Sequence, residues 1–338
     1  MAAGVAVITV KWTAKRLENE SNYWRSAILL TAAHLDLFDW LGKRRIKSAD
    51  AAIHYGGDKD SWESFLDALS GIGLIRKRAN GYSSSAFAAR YLTGDKRTLL
   101  LPQHDAWRTW GDLTAVLTTA KRPRTQKPFA SDLAQSARLL QGLELHARQI
   151  APHVIRRLRL GGAKTLLDIG GGLGTFARAF CRRYPRLQVT LLEHPNIVPL
   201  ARRAVKDSGL AHRIQVVGRD FTRGSLPARF DAVFASNILH AHGAAENRFL
   251  LRQIHRSLKP GGQLIVRDVF MRQDRVAPEW GALFSVALLL HTPRGRCYSL
   301  DEIRHWLRQT GFATIQRPRR SSPLPFDPDA ILIAKKSS

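Results

Sequence analysis

The feature that most constrains the fold is a glycine-rich turn, Gly-Gly-Gly-Leu-Gly at residues 170–174, shortly after an apolar run at 165–168 that ends in Asp168. Glycines let the backbone turn sharply and approach a ligand closely. A helix expected to begin at Thr175 would present unpaired N–H groups at the same place. The pattern therefore predicts a strand, a ligand-binding turn and a helix in direct succession.

Strand and helix patterns alternate after this turn. Such alternation indicates a parallel sheet with helices on both faces, so residues 161–338 are predicted to form a doubly wound, Rossmann-like α/β domain. The predicted strands are 165–168, 188–193, 214–217, 230–236, 263–268 and 330–334, and the predicted helices are 175–184, 197–208 and 246–258.

The N-terminal part is helical and then briefly extended. Apolar residues between positions 28 and 41 form one helical stripe, and further helices are predicted at 48–55 and 61–72, the latter with Ser61 as N-cap. Asn80-Gly81 favours a tight hairpin turn. We therefore predict a mostly helical, winged-helix-like domain at residues 22–101, after an N-terminal segment at 1–21.

Residues 102–160 are predicted to be a helical connector, interrupted by a polar, proline-containing linker at 121–128. No apolar run reaches the roughly 18 residues that span a bilayer, and no basic leader precedes the start, so we expect a cytoplasmic protein. Cys181 and Cys297 have no zinc-binding or disulfide spacing, so both are expected to be reduced.

The formal net charge of +26 attracts polyanions in principle. The basic residues occur in short, scattered groups, as on solvated helix faces and loops. General surface charge is the simpler interpretation, and an acidic substrate or weak association with an anionic surface remains open.

Acidic residues close the predicted strands at the edge where the glycine turn lies. Glu193 ends the next strand, where a carboxylate can accept hydrogen bonds from both ribose hydroxyls. Asp220 and Phe221 follow the third strand, and they could contact the amino group and the ring of an adenine. The competing interpretations are a turn used only for packing and an aspartate that caps its own loop.

Several motifs together carry a resemblance to a known family: residues 168–172, Glu193, Asp220-Phe221, Leu239-His240 and Lys-Pro-Gly-Gly at 259–262. In this order they resemble the dimeric, metal-independent class I O-methyltransferases, over about residues 22–334. That family comprises the caffeate and isoflavone enzymes of plants and bacterial relatives that methylate polyketides, phenazines, carotenoids and bacteriochlorophyll precursors.

The resemblance implies S-adenosylmethionine as cofactor, a small-molecule acceptor, no metal, and a homodimer formed through the N-terminal domain. The apolar helices between Trp24 and Trp40 also predict an interface. The candidate cofactor-binding residues are Asp168, Gly170, Gly172, Gly174, Glu193, Asp220, Phe221, Ser236 and Asn237.

By the same resemblance His240 is the general base on the acceptor hydroxyl, and Asp268 orients it. An imidazole exchanges protons near neutral pH, which suits this role. The sequence departs from the family pattern in two places: Ala241-His242 replaces the usual Asp-Trp, and Cys297 replaces a supporting glutamate. A helix cap or a simple polar contact is the alternative role for His240.

An apolar wall with a few polar tips is expected beside the base, which suits a flat acceptor. Its candidates lie on two helices: Leu143 and His146, and then Trp280, Phe284, Leu288 and His291 at three- and four-residue spacing. An aromatic stripe of this kind also fits an ordinary core.

Other functions remain open at this level. The methyl group could go to nitrogen or carbon, or the protein could bind the cofactor and perform decarboxylation or hydroxylation. A winged helix with a basic balance could also bind DNA, although Asp60, Glu63 and Asp67 lie on the helix that would face the phosphates.

Overall fold

The computed structural model describes residues 13–94, 100–119, 132–227, 229–318 and 331–337. The predicted linker at 121–128 lies outside them. The chain divides into two compact units after Asp105. No helix within the described ranges is long and apolar enough to cross a membrane.

The first unit is a set of short helices around one hairpin, as predicted, but the turn was predicted at Asn80-Gly81 and in fact consists of Ala79 and Asn80, because Gly81 already pairs with Arg78. Ile75 pairs with Ser84 and Arg78 with Gly81 across the antiparallel hairpin, and Ile46 adds an isolated bridge to Tyr82. Its elements are α1 Ala14–Ser21, α2 Trp24–His34, α3 Leu37–Leu41, α4 Ser48–Tyr55, α5 Lys59–Gly71, β1 Ile75–Arg78, β2 Gly81–Ser84 and α6 Ala86–Tyr91.

Helix α5 begins earlier than the sequence pattern predicted. Its N-cap is Asp58, whose carboxylate accepts hydrogen bonds from the main-chain N–H groups of Asp60 and Ser61 at 3.0 and 2.9 Å. The prediction of Ser61 as N-cap was therefore wrong. Aspartate and serine both satisfy free N–H groups at a helix start, so residue type alone did not distinguish the two positions.

The second unit contains a seven-stranded sheet and its covering helices. Its helices are α8 Leu113–Thr119, α9 Leu133–Arg156, α10 Thr175–Arg183, α11 Val198–Asp207, α12 Ala244–Ser257, α13 Glu279–His291 and α14 Leu300–Thr310, and α7 Leu101–Gly111 contains the division between the units. Its strands are β3 Thr165–Ile169, β4 Gln188–Glu193, β5 Ile214–Gly218, β6 Phe230–Ser236, β7 Leu258–Arg267, β8 Phe270–Met271, β9 Tyr298–Ser299, β10 Phe312–Gln316 and β11 Ile331–Lys336.

The strand order in the large sheet is β10-β11-β7-β6-β3-β4-β5. Strands β3 to β7 run parallel, as predicted, but β11 pairs antiparallel with both β7 and β10. A parallel neighbour would need a crossover connection, usually a helix. Strand β11 runs antiparallel to β7, so the link between them needs no such crossover.

Both faces of the sheet are buried, and the central strand β3 shows this residue by residue. Leu166 packs into the core shared with Phe176 and Phe180 of α10, whereas Leu167 packs into the core on the opposite face with Leu251 of α12. Strands buried on both faces need apolar residues at successive positions.

Strand β3 lies between β4 and β6, where the strand order reverses. Ligands of open α/β sheets bind at the carboxyl ends of the strands beside such a reversal. The ends of β3, β4, β6 and β7 hold Gly170, Glu193, Asn237 and Asp268, respectively.

Candidate active site

The glycine turn between β3 and α10 has backbone angles that favour glycine. Gly170, Gly172 and Gly174 have φ values of +61°, +58° and +78°. A Cβ atom on Gly170 would lie 2.3 Å from Ile238 Cδ1 and 3.3 Å from Phe221 Cζ. A larger residue at position 170 would therefore collide with neighbouring side chains of the protein itself, before any ligand is considered.

Asp168 lies beneath this turn with 1% exposure, and its Oδ2 has no hydrogen-bond partner among the described residues. Burial first, and then the negative charge of Glu193, raises the pKa of Asp168 to about 8, against a stabilising contact from the N–H of Ala177. A buried acceptor without a partner is costly, so this position favours a ligand that brings a donor or a positive charge.

Glu193 ends β4 and is 4% exposed. Its Oε2 accepts a hydrogen bond from the N–H of Gly172 at 2.8 Å, and its Oε1 accepts one from the N–H of His194 at 2.7 Å. Burial raises the pKa of Glu193 in spite of these two bonds. Each carboxylate oxygen can accept a second bond, so the side chain is held in place with capacity to bind a pair of hydroxyl groups.

Asp220 and Phe221 follow β5 on the same edge of the sheet. Asp220 Oδ1 accepts bonds from the N–H of Thr222 at 2.9 Å and from its hydroxyl at 2.5 Å, which is the loop-capping role left open by the sequence. Burial raises the pKa of Asp220, but the bonds from Thr222 and the charge of Arg223 outweigh it, and the pKa lies below its ordinary value.

The end of β6 carries Ser236 and Asn237. Arg267 Nη1 donates to Ser236 Oγ at 3.2 Å, and the N–H of Asn237 donates to the Arg267 carbonyl at 2.8 Å. Asn237 has a φ of +58° and is exposed, so its backbone turns away from the sheet here and leads into the short helical turn Leu239–Ala241.

His240 and Asp268 meet directly. His240 Nδ1 lies 2.6 Å from Asp268 Oδ1, and Asp268 Oδ2 accepts bonds from the N–H groups of Leu239 and His240 at 2.9 and 3.3 Å. Asp268 is 3% exposed, and the side chain of His240 is 12% exposed. One carboxylate therefore fixes both the ring of His240 and the backbone that carries it.

The charge state of Asp268 determines which nitrogen of His240 is free. Burial alone would raise the pKa of Asp268, but His240 and the main-chain N–H groups of Val269 and His240 hold it below its ordinary value. An ionised carboxylate only accepts hydrogen bonds. Nδ1 of His240 therefore carries its hydrogen towards Asp268, and in the neutral ring Nε2 is the basic nitrogen.

Two aromatic rings of α13 form a row that begins at His240. Phe284 meets the His240 ring edge to face at a centroid distance of 5.0 Å, and Trp280 stacks on Phe284 at 5.0 Å. Trp280 is 59% exposed, so this apolar surface is open to solvent. Two of the wall candidates thus form an aromatic pair beside the histidine.

The other wall candidates occupy different environments. Leu288 is 5% exposed and packs in a core cluster with Met271 and Cys297, which matches the alternative that the stripe is partly core. His291 is exposed at the end of α13, and on α9 Leu143 is exposed and His146 half-buried. Of the candidates on α13, Phe284 contacts His240 directly.

The two departures from the family pattern have clear structural places. The His242 ring meets Phe221 edge to face at 6.1 Å, and burial lowers the pKa of His242. Cys297 is buried, and burial raises the pKa of its thiol to about 11. A thiol with such a pKa is neutral near pH 7, so position 297 contributes no negative charge beside His240.

Glu144 of α9 and Arg178 of α10 form a buried ion pair that the sequence did not predict. Their side chains are 11% and 10% exposed. Local sequence patterns carry no signal for two residues on separate helices. The position of Glu144 between the wall candidates Leu143 and His146 was the only available hint.

Within the described ranges, no group of three or more His, Cys, Asp or Glu side chains is arranged to hold a metal ion. The site described above consists of protein groups that accept hydrogen bonds, exchange a proton or form an apolar surface.

Comparison with known proteins identifies both parts of the chain. An O-methyltransferase domain matches residues 127–313, and an O-methyltransferase dimerisation domain matches residues 18–94. The solved structure of human N-acetylserotonin methyltransferase in complex with S-adenosylmethionine has the same fold, with a TM-score of 0.81, 21% identity, and coverage of 98% of this chain and 99% of that chain.

Curated relatives match at similar length. The 3-hydroxy-5-methyl-1-naphthoate 3-O-methyltransferase of Streptomyces sahachiroi is 28% identical over 313 residues, which cover 89% of either chain. The tetracenomycin polyketide synthesis 8-O-methyl transferase of Streptomyces glaucescens is 28% identical over 328 residues, 93% of this chain and 94% of the relative. The chain therefore belongs to the O-methyltransferase family and is a class I methyltransferase that depends on S-adenosylmethionine.

Proposed function

We propose that the protein transfers a methyl group from S-adenosylmethionine to a hydroxyl group of a small aromatic or polycyclic molecule, with His240 as general base. The observation that carries this proposal is the 2.6 Å contact between His240 Nδ1 and Asp268 Oδ1. This contact leaves Nε2 as the nitrogen that can take a proton, beside the Phe284 ring.

The residues at the sheet edge fit the cofactor. Glu193 has free acceptor capacity for the ribose hydroxyls, and the glycine turn supplies main-chain groups at the start of α10. Asp168 has a buried oxygen without a partner, and Phe221 supplies a ring at the same edge. When bound, S-adenosylmethionine supplies an electrophilic methyl group on a positively charged sulfur.

The chain's own part in the reaction is to hold the acceptor and to move one proton. Nε2 of His240 takes the proton of the acceptor hydroxyl as the oxygen becomes the nucleophile. Asp268 then stabilises the positive imidazolium and keeps its orientation, since it binds both the ring and the backbone of His240. Positioning of the acceptor against the methyl donor contributes the remaining rate enhancement.

The nature of the acceptor is inferred from the exposed aromatic pair. Trp280 and Phe284 stack with an interplanar angle of 15°, and such a surface suits a flat ring system. The names of the two curated relatives describe methylation of a naphthoate and action in the synthesis of a polyketide, which is consistent with a polycyclic acceptor for this chain.

We also propose that the first unit forms a homodimer. It exposes large apolar side chains that a monomer would usually bury, and contiguous exposed apolar patches commonly mark interfaces. They include Tyr23 at 59% exposure, Trp24 at 67%, Ile53 at 85% and Phe87 at 56%.

DNA binding by the winged helix is a weaker explanation of the first unit. Lys77 of the hairpin lies 2.7 Å from Asp67 and 3.7 Å from Glu63, both on α5. The acids of α5 thus neutralise a cation of the wing, and they would repel phosphates at the face that a recognition helix uses.

The proposed function is tested by mass spectrometry of the products. The purified protein is incubated with S-adenosylmethionine labelled in the methyl group and with a panel of hydroxylated naphthoate, polyketide and phenazine acceptors. We expect the label on a product hydroxyl, and the His240→Ala protein serves as the matched control. Label on nitrogen or carbon, or a product that has lost carbon dioxide or gained oxygen without label, would overturn the assignment to O-methylation.

A further inference from the structure

The buried pair Glu144–Arg178 connects the cofactor turn to helix α9. Arg178 lies on α10 and donates from Nη2 to Glu144 Oε1 on α9. Its Nε donates to the carbonyl of Gly174 at 3.2 Å, and its Nη2 also donates to Thr175 Oγ1 at 3.1 Å. One guanidinium therefore binds the last residue of the turn, the first residue of the following helix and a carboxylate of a third element.

Helix α9 contacts the same turn at a second point. A Cβ on Gly172 would lie 3.2 Å from Leu140 Cδ2, so the leucine closes over the turn just before Gly174. Glu144 is one helical turn after Leu140, and its Oε1 lies 3.5 Å from Thr175 Oγ1. The two contacts fix both the position and the rotation of α9 against the turn.

The remaining partner of Glu144 is on its own helix. Arg148 Nη2 lies 3.0 Å from Glu144 Oε1, but the side chain of Arg148 is 57% exposed. An exposed cation one turn away contributes little compared with a buried one that has three acceptors. Arg178 is therefore the partner that determines where Glu144 lies.

We infer that Glu144 and Arg178 are positioning residues for methyl transfer, which set the distance between the cofactor turn and α9. This inference rests on the proposed function, because α9 also carries the acceptor-pocket candidates Leu143 and His146. Neither Glu144 nor Arg178 touches the reacting atoms. Their effect passes through the turn on one side and through the helix on the other.

A purely structural pair and a positioning pair respond differently to removal of both charges. A single substitution leaves one buried charge without its partner and destabilises the protein in either case. Replacement of both partners by apolar residues of similar size often restores stability, but it does not restore the bonds from Arg178 to Gly174 and Thr175. The double variant therefore separates stability from positioning.

The experiment compares Glu144→Leu, Arg178→Met, the double variant and Arg178→Lys with the wild type. Thermal melts report stability, calorimetry reports the Kd for S-adenosylhomocysteine, and steady-state kinetics with an acceptor found in the panel reports kcat and KM. Asp301→Asn is the matched control, since Asp301 is 61% exposed and pairs with Arg304 on its own helix at 3.6 Å. The melting temperature, Kd, kcat and KM of this control should equal those of the wild type.

We expect the double variant to melt near the wild-type temperature while its kcat/KM falls about 10- to 100-fold, the size of effect that a misplacement of ~1 Å can cause. Its Kd for S-adenosylhomocysteine should rise as well. Arg178→Lys should lie between wild type and double variant, because it keeps a positive charge and loses the planar fork that binds Gly174 and Thr175.

A double variant with wild-type stability, Kd and kcat/KM would overturn the inference. If the double variant does not fold, Arg178→Lys decides by itself, and wild-type kinetics for that variant would count against positioning. Failure of the wild type to bind S-adenosylhomocysteine would instead contradict the proposed function, so the two failures are distinguishable.

Discussion

The proposed cofactor side and the proposed acceptor side of the site are built by different means. On the cofactor side, backbone geometry dominates: three glycines with positive φ, and a Glu193 carboxylate bound to two main-chain N–H groups. On the acceptor side, two side chains of α13 project from a helix, and Trp280 is 59% exposed. A side chain on an exposed helix face can change without disturbing the sheet, so acceptor choice can vary while the cofactor site stays constant.

The largest expected effect comes from the group that joins the two sides. His240→Ala should lower turnover roughly 10²- to 10⁴-fold, the usual cost of losing a general base, and should leave binding of S-adenosylhomocysteine unchanged. Steady-state kinetics and calorimetry measure the two quantities. Asp268→Asn should cost less, because the imidazole remains and loses only its charged partner.

The size of the His240→Ala effect also reports the acceptor type. If the acceptor atom is an amine that is already neutral at the working pH, deprotonation need not limit the rate, and the penalty shrinks below about tenfold. Full activity of His240→Ala across the pH range would refute the base assignment and leave alignment of donor and acceptor as the main source of catalysis.

The second expected effect tests the cofactor side alone. In Gly170→Val the new side chain meets Ile238 and Phe221 and the backbone has a φ of +61°, so we expect affinity for S-adenosylhomocysteine to fall by about tenfold or more. Gly162→Ala is the control, because a Cβ there meets nothing within 4 Å. Glu193→Ala should also weaken binding, and unchanged calorimetric titrations for both site variants would remove this assignment.

A smaller effect is expected on the acceptor side. Trp280→Ala should raise the acceptor KM several-fold and leave the Kd of S-adenosylhomocysteine unchanged, since a stacked ring contributes about 1 kcal/mol beyond its buried area. Because Trp280 is largely exposed, the stability should change by no more than about 0.5 kcal/mol. An altered cofactor Kd with an unchanged acceptor KM would contradict the separation of the two sides.

The remaining effect concerns stability rather than turnover or binding, and it is a pH dependence. The pKa of Asp168 is raised from 3.8 to about 8 by burial and by Glu193, so between these values the folded chain keeps a proton that the unfolded chain has lost. Stability of the cofactor-free protein from this group is therefore greatest at low pH and is lost as pH rises towards 8. Asparagine does not ionise and removes this dependence.

Melting temperatures of wild type and Asp168→Asn, measured from about pH 5 to pH 8 without cofactor, test this sign. The melting temperature of Asp168→Asn should rise relative to that of the wild type as the pH increases. For Asp301→Asn, which removes an exposed carboxylate, the difference in melting temperature from the wild type should stay constant over this pH range. If instead the melting temperature of the wild type rose relative to that of Asp168→Asn with increasing pH, the carboxylate would be stabilised in its charged form.

The sequence predicted those features that depend on short-range patterns. Strands β4 and β6 have the predicted bounds, because apolar runs end there at a polar residue. The glycine turn and Glu193 were found for the same reason. The contact of His240 with Asp268, 28 positions apart, was expected only through the family resemblance.

Other features depend on partners that a local pattern does not contain. The direction of β11 depends on its neighbours β7 and β10, and helical spacing from Trp280 to Leu288 did not distinguish the exposed end of the stripe from the buried one. The pair Glu144–Arg178 joins two helices, and the local sequence of neither helix indicates that its charged residue has a partner on the other.

The antiparallel strand β11 also has a consequence for biosynthesis. It pairs along β7 from Ile331 opposite Arg267 to Lys335 opposite Gln263, and Asp268 follows directly after β7. Until residues 331–336 have left the ribosome, β7 is an open edge with Leu264, Ile265 and Val266 unsupported on that side. Unpaired apolar edges template aggregation. A nascent chain that lacks β11 would therefore need protection by chaperones at this edge, which lies next to Asp268.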